Sequence, residues 1–202
     1  MQEIQIIRGA ASLQYGTQFG GLVNFIFKEP IKEKPLEILT RNSIGSFNLF
    51  TNFTSLSGTS KKLSYYTFFN FKEGKGFRPN SNFNSKNIFF NINYNINKNS
   101  KLKFDITYLK YLSKQAGGLS DKMFLENPFQ SNRERNWFGL DWLIYNLNFS
   151  HKINSKTNLN ISLFGLNAKR NSLGFRTNRV DQIDPINAVS YTHLTLPTKR
   201  IV

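Results

Sequence analysis

From Asn87 to Asn97 the side chains take turns. Ile88, Phe90, Ile92, Tyr94 and Ile96 point one way, and Asn91, Asn93, Asn95 and Asn97 point the other. A period of two puts successive side chains on opposite faces of a strand, one face apolar and one polar. Lys98-Asn99-Ser100 then turns the chain. Leu102, Phe104, Ile106 and Tyr108 repeat the apolar face against Lys103, Asp105 and Thr107. Two alternating strands joined so briefly form an antiparallel hairpin. This pattern constrains the fold more than any other feature of the chain.

Similar runs lie on both sides. Leu36 to Ile44, Asn48 to Leu56 and Leu63 to Phe71 precede the hairpin, although Tyr66 and Phe68 spoil the alternation of the third. Past the hairpin, a run begins at Trp137. There Phe138, Leu140 and Trp142 fall out of step with Tyr145, Leu147 and Phe149, which predicts a bulge near Tyr145. Asn154-Ser155-Lys156 turns the chain into a last run carrying Leu159, Ile161 and Leu163. Connections near Lys61, Asn99 and Ser155 are short, whereas Glu73 to Lys86 and Ser113 to Asn136 are long and rich in Gly, Pro, Asn and Arg. The turn at Gly45-Ser46 is a short exception. Short turns at one end and long loops at the other suit an outer-membrane barrel, with the long loops outside the cell.

Composition narrows the function. There are no cysteines and only two histidines among 202 residues, which leaves no disulfide framework and no thiolate or histidine metal cluster. No metal and no cofactor is expected. Mean hydropathy is −0.41 and no apolar run is long enough for a membrane helix, but barrel strands are short and half polar. The net charge of +15 raises the question of nucleic acid. The lysines are scattered singly among asparagines, however, and Asn, Lys, Phe and Ile are together favoured by an AT-rich genome. No nucleic-acid partner is expected. No nucleophile–base set, HExxH or phosphate loop occurs, so the chain is not read as an enzyme.

The stretch Ile4 to Glu29 adds a spaced set: Ile6, Ile7, Arg8, Gly9, Ser12, Tyr15, Gly16, Gly20, Gly21, Val23 and Asn24. This set resembles the end of the plug domain of TonB-dependent outer-membrane receptors. The loop runs Gly76 to Ser81, Gln115 to Asp121 and Asn127 to Phe138 are similar to the ferric-dicitrate-receptor-like branch of that family. Together the likeness spans Ile4 to about Gly174. It implies a mainly β fold: a partial, unclosed antiparallel outer-membrane β-barrel carrying the C-terminal remnant of a plug. Residues 1–30 would be the plug end and 31–188 roughly the first seven barrel strands, with the charged linker Ile31 to Pro35 between them. Val189 to Thr198 matches the translation of a sequencing-adapter read-through, so 189–202 is read as a non-native tail. The first residues lack a signal peptide, and the chain begins inside the plug pattern. A fragment is therefore expected.

The resemblance further implies import of a ferric chelate, ferric citrate or siderophore-like, across the outer membrane of a Gram-negative bacterium. Partners would be outer-membrane lipid, the chelate, and a TonB-type energy transducer acting on an N-terminal segment. Arg8, Gly9, Tyr15, Gly16, Gly20 and Gly21 would serve gating between plug and barrel. For Arg8 that implies a buried guanidinium paired with a carboxylate, because an unpaired buried charge is costly. Arg78, Arg133 and Arg135 on the outer loops are candidates for contact with an anionic ligand or with lipopolysaccharide, since arginine forks suit carboxylates. The alternatives are import of a sugar, peptide or cobalamin, or a soluble β-rich binding or adhesion protein.

Overall fold

A computed structural model describes residues 2–9 and 20–174, together with the backbone of residues 192–200. Two short strands, β1 (Glu3–Ile7) and β2 (Leu22–Ile26), form an antiparallel ribbon. The rest is one antiparallel sheet in strict sequence order: β3 (Glu37–Gly45), β4 (Leu49–Ser60), β5 (Leu63–Gly74), β6 (Phe83–Asn95), β7 (Ser100–Lys114), β8 (Trp137–Lys152), β9 (Asn158–Gly174) and β10 (Thr192–Arg200). β3 and β10 are the two edges, so the sheet is unclosed. From β3 to β9, each strand pairs with its neighbours in sequence because the turns between them are short or self-contained. One six-residue helix, α1 (Asp121–Glu126), interrupts the β pattern inside the longest loop.

The ladders show which residues share a face. Ile88 lies opposite Phe69 and Tyr108, Phe90 opposite Thr67 and Ile106, Ile92 opposite Tyr65 and Phe104. This apolar face is the exposed one: Phe69, Ile88, Phe90, Tyr94, Tyr145, Ile161 and Leu163 are all exposed. On β5 and β6 the polar face is the sheltered one. Phe89 is 4% exposed and Asn91 5% exposed, and both lie on it beside Phe68 and Tyr66. Apolar outside and polar inside is the reverse of a soluble sandwich, and it is the arrangement of a barrel wall.

Two expectations need correction. The β7–β8 and β8–β9 ladders run without a skipped residue through Tyr145, so no bulge breaks β8. The phase change has another cause. Toward the long loops, Phe138, Leu140 and Trp142 face inward, opposite Ser113, Tyr111 and Leu109. Phe138 meets Tyr111 edge-on at 6.4 Å, and the Arg170 guanidinium sits 4.9 Å from the Phe138 ring centre. The long connections are also shorter than the sequence suggests. Gly74 still pairs Phe83, and Lys114 still pairs Trp137, which leaves only residues 75–82 and 115–136 outside the sheet.

Candidate functional site

Two places gather functional side chains: the inner face beneath the β1–β2 ribbon, and the loop cluster at the opposite rim from the short turns.

On the inner face, the chain leaving β2 lays Phe27 on the wall. Its ring stacks on Phe89 at 4.4 Å and meets Phe68 at 6.2 Å. Phe68 in turn stacks on Phe89 at 5.5 Å and meets Phe53 at 5.4 Å, while Tyr66 borders both Phe68 and Phe89. Offset and edge-on ring pairs of this kind add to the area they bury. Beside the aromatic seat lies a cleft of about 810 Å³ between the ribbon's exit and the wall. Its wall is polar. Asn91 donates to Asp105 at 2.6 Å, Asn93 donates to Asn91 at 2.8 Å, and Lys103 approaches Asp105 at 3.6 Å. Lys28, Lys32 and Lys101 line the same space. Hydrogen-bonded asparagines and exposed lysines make this a polar surface.

The linker after Phe27 is strapped to the start of the wall. The Ile31 amide donates to Ser57 Oγ at 2.9 Å, and Thr59 Oγ1 donates to the Ile31 carbonyl at 2.7 Å. The Thr59 amide donates to the Lys34 carbonyl at 2.9 Å, and the Tyr65 hydroxyl to the Pro35 carbonyl at 3.0 Å. The backbone groups of Ile31 and the carbonyls of Lys34 and Pro35 are thereby satisfied.

At the other rim, loops 75–82 and 115–136 are tied into one unit. Arg78 donates from Nε to the Gln130 carbonyl at 2.8 Å, and from Nη2 to the carbonyls of Gly117 at 2.9 Å and Ala116 at 3.3 Å. Asn80 donates to the Gln115 and Asn136 carbonyls at 3.1 and 3.2 Å, and also to that of Arg133. Asn132 is 1% exposed and donates to the Gly118 carbonyl. Gly117 sits at φ +80, and a Cβ there would lie 2.0 Å from Asn132 Oδ1. Only glycine fits this crossing of the loop on itself. Ser120 caps α1 by accepting from the Met123 amide, and Met123 is buried beneath.

The residues singled out from the sequence are placed as follows. Arg8 is exposed at the end of β1, and it forms no ion pair among the described residues, so the buried pair expected for it is not seen there. Gly9 has φ +66. Gly21 has φ +111, and a Cβ on it would lie 2.7 Å from the Ile7 carbonyl oxygen, so glycine lets β2 close against β1. Gly20 is an exposed turn residue just before Gly21. Tyr15 and Gly16 fall outside the described residues. Arg78 and Arg133 are brought together in the loop unit, where Arg133 is 7% exposed and donates to the Asn132 carbonyl at 2.7 Å. Arg135 is partly buried nearby.

Sequence reasoning missed the aromatic seat and the strap. The signal for the seat was present as doublets: Tyr65-Tyr66, Phe68-Phe69 and Phe89-Phe90 each send one ring outward and one inward. The strap's partners, Ser57, Thr59 and Pro35, carry no distinguishing pattern.

No protein-family model matches this chain, and no curated protein does. Among solved structures, it is similar to the ferric citrate transporter FecA in its unliganded form. That match has a TM-score of 0.73 and 20% identity, over 86% of this chain and 27% of that one. It is also similar to the siderophore receptor PirA from Acinetobacter baumannii, with a TM-score of 0.58 and 18% identity, over 94% of this chain and 30% of that one. The chain thus spans less than a third of the length of either. At such identities the likeness is one of fold: an unclosed antiparallel sheet of barrel-wall type, with a small ribbon against its inner face.

Proposed function

We propose that the chain is part of a TonB-dependent outer-membrane transporter that imports a ferric chelate in a Gram-negative bacterium. In this reading, β1 and β2 end the plug, and residues 31–188 supply the first strands of the wall. A TonB-type energy transducer acts on a more N-terminal segment. Arg8, Gly9, Tyr15, Gly16, Gly20 and Gly21 belong to the part of the plug that shifts. Arg78, Arg133 and Arg135 shape the outer surface that an anionic chelate meets. The reading is of a carrier and not of an enzyme.

One observation carries it. Phe27 is lodged on the sheltered, polar face of a sheet whose other face is an exposed apolar band. A segment held inside a wall that is built to face lipid is what a plugged pore requires. The fold likeness to a ferric citrate transporter and a siderophore receptor supports the substrate class.

The test is growth and iron uptake after deletion of the reading frame that contains this chain. Iron-limited cells are expected to lose growth on one ferric chelate, citrate or a siderophore, and to regain it from a plasmid copy. Unchanged uptake of every ferric chelate would overturn the reading. Loss of growth on cobalamin, a peptide or a sugar instead would reassign the substrate and keep the transporter.

A further inference from the structure

The inner face of the wall changes character toward the long loops. Midway along β6, β7 and β8 the facing residues are Asn91, Asp105 and Asn146. Nearer the loops the same face turns apolar. There the register sets Leu109 opposite Trp142, and Tyr111 opposite Leu140, which in turn faces Arg170 on β9. Phe138 stands in the next row toward the loops, opposite Ser113. Tyr111, Phe138 and Trp142 are half-buried, and Arg170 is exposed.

On the outward side of β7, β8 and β9, at this same height, stand Lys110, Asp141 and Lys169. The wall here is apolar within and charged without, the reverse of its middle. The inward rings are therefore no part of the lipid-facing band. Nor do they belong to the seat of the ribbon, since Phe68 and Phe89 lie on β5 and β6. The rings and the arginine already form one group. Phe138 meets Tyr111 edge-on at 6.4 Å, and the Arg170 guanidinium lies 4.9 Å from the Phe138 ring centre. A guanidinium held against a ring keeps its charge and its N–H donors. Arg170 has no carboxylate partner: the ion pairs among the described residues are Lys34–Glu37, Lys103–Asp105 and Lys122–Glu126. Half-buried rings beside an unneutralised cation match a ligand that carries both an aromatic ring and negative charge. Citrate supplies only the charge.

We propose that Tyr111, Phe138, Trp142 and Arg170 form a selective patch on the inner wall, which favours a ferric catecholate over ferric citrate. One ring of the chelate packs against Tyr111 and Phe138, and its anionic oxygens accept hydrogen bonds from Arg170. This inference rests on the carrier reading proposed above and names its substrate class.

The test uses the full protein that contains this chain, in detergent, with radio-iron complexes of three kinds: a triscatecholate, citrate, and a ring-free trihydroxamate. Bound iron is counted after rapid gel filtration over a range of concentrations. Wild type is expected to bind the ferric catecholate roughly tenfold more tightly than either ring-free complex. Tyr111→Leu and Phe138→Leu should each weaken the catecholate roughly tenfold and leave the ring-free complexes unchanged. Phe138→Tyr keeps the ring and should bind as wild type does. Arg170→Gln should weaken the catecholate by a similar factor. Tighter binding of a ring-free complex by wild type would overturn the inference, and so would equal losses of all three complexes in Phe138→Leu. The wild-type ranking decides the matter even where a variant fails to fold, which heat-modifiable mobility reports. Wild type that binds none of the three would instead sink the carrier reading, which separates the two failures.

Discussion

Arg78 shows how one side chain can define a surface without being on it. Its guanidinium reaches three carbonyls of a loop 38 to 52 residues away in sequence, so it holds the two loops at a fixed distance. The planar fork is what allows this, since a lysine presents a single charged point and cannot serve both sides. Arg78→Ala is expected to destabilise the loop unit by about 2 kcal/mol, with Arg78→Lys recovering only part. Limited proteolysis within 115–136 should speed up roughly thirtyfold in the alanine variant. Cleavage at the wild-type rate would show that the carbonyl contacts do not hold the loops. The residue type and its loop position were legible in the sequence. Its partners were not, because they are backbone oxygens, which leave no trace in residue identity.

The strands were legible where their faces differ in polarity, and illegible where aromatics occupy both. Asn87 to Asn97 announces its two faces. Tyr65-Tyr66 and Phe68-Phe69 hide theirs, because a ring suits lipid on one side and another ring on the other. The run from Trp137 misled for the same reason: its apolar residues change face toward the loops while the ladder continues. The element that depends most on these inner rings is β2, whose exit is held by Phe27. Phe27 keeps 36% of its surface exposed, so its removal should cost less than a full core truncation, about 2 kcal/mol. Phe27→Ala should therefore raise amide exchange across Leu22–Ile26 roughly thirtyfold, with β6 and β7 unaffected. Unchanged exchange in β2 would mean that the ribbon is held by something other than the stack.

At the scale of the molecule, the two faces of the sheet ask for different solvents. From Ile88 to Tyr94 the outward row covers about 20 Å of strand, most of an outer-membrane apolar band. A cation placed in that band should be costly, and the same cation on the inner face should not. Phe90→Lys is expected to lower stability in lipid by about 2 to 4 kcal/mol. Asn146→Lys, which sets its charge opposite Asp105, should be close to neutral. Urea unfolding in vesicles distinguishes them, and equal midpoints for the two variants would refute the assignment of faces. The open sheet and its order follow from sequence alternation and turn lengths. The strap from Ile31 to Pro35 does not, and it limits what the ribbon can do. Ile31 is fixed to Ser57 and Thr59, and only three residues separate it from Phe27. At the reach of an extended chain, roughly 14 Å, Phe27 is on a short leash. While the strap holds, a force applied from the N-terminal side can lift the ribbon and unravel it, but its last ring stays within roughly 14 Å of Ile31. A ring held that near its seat has only a short way to return.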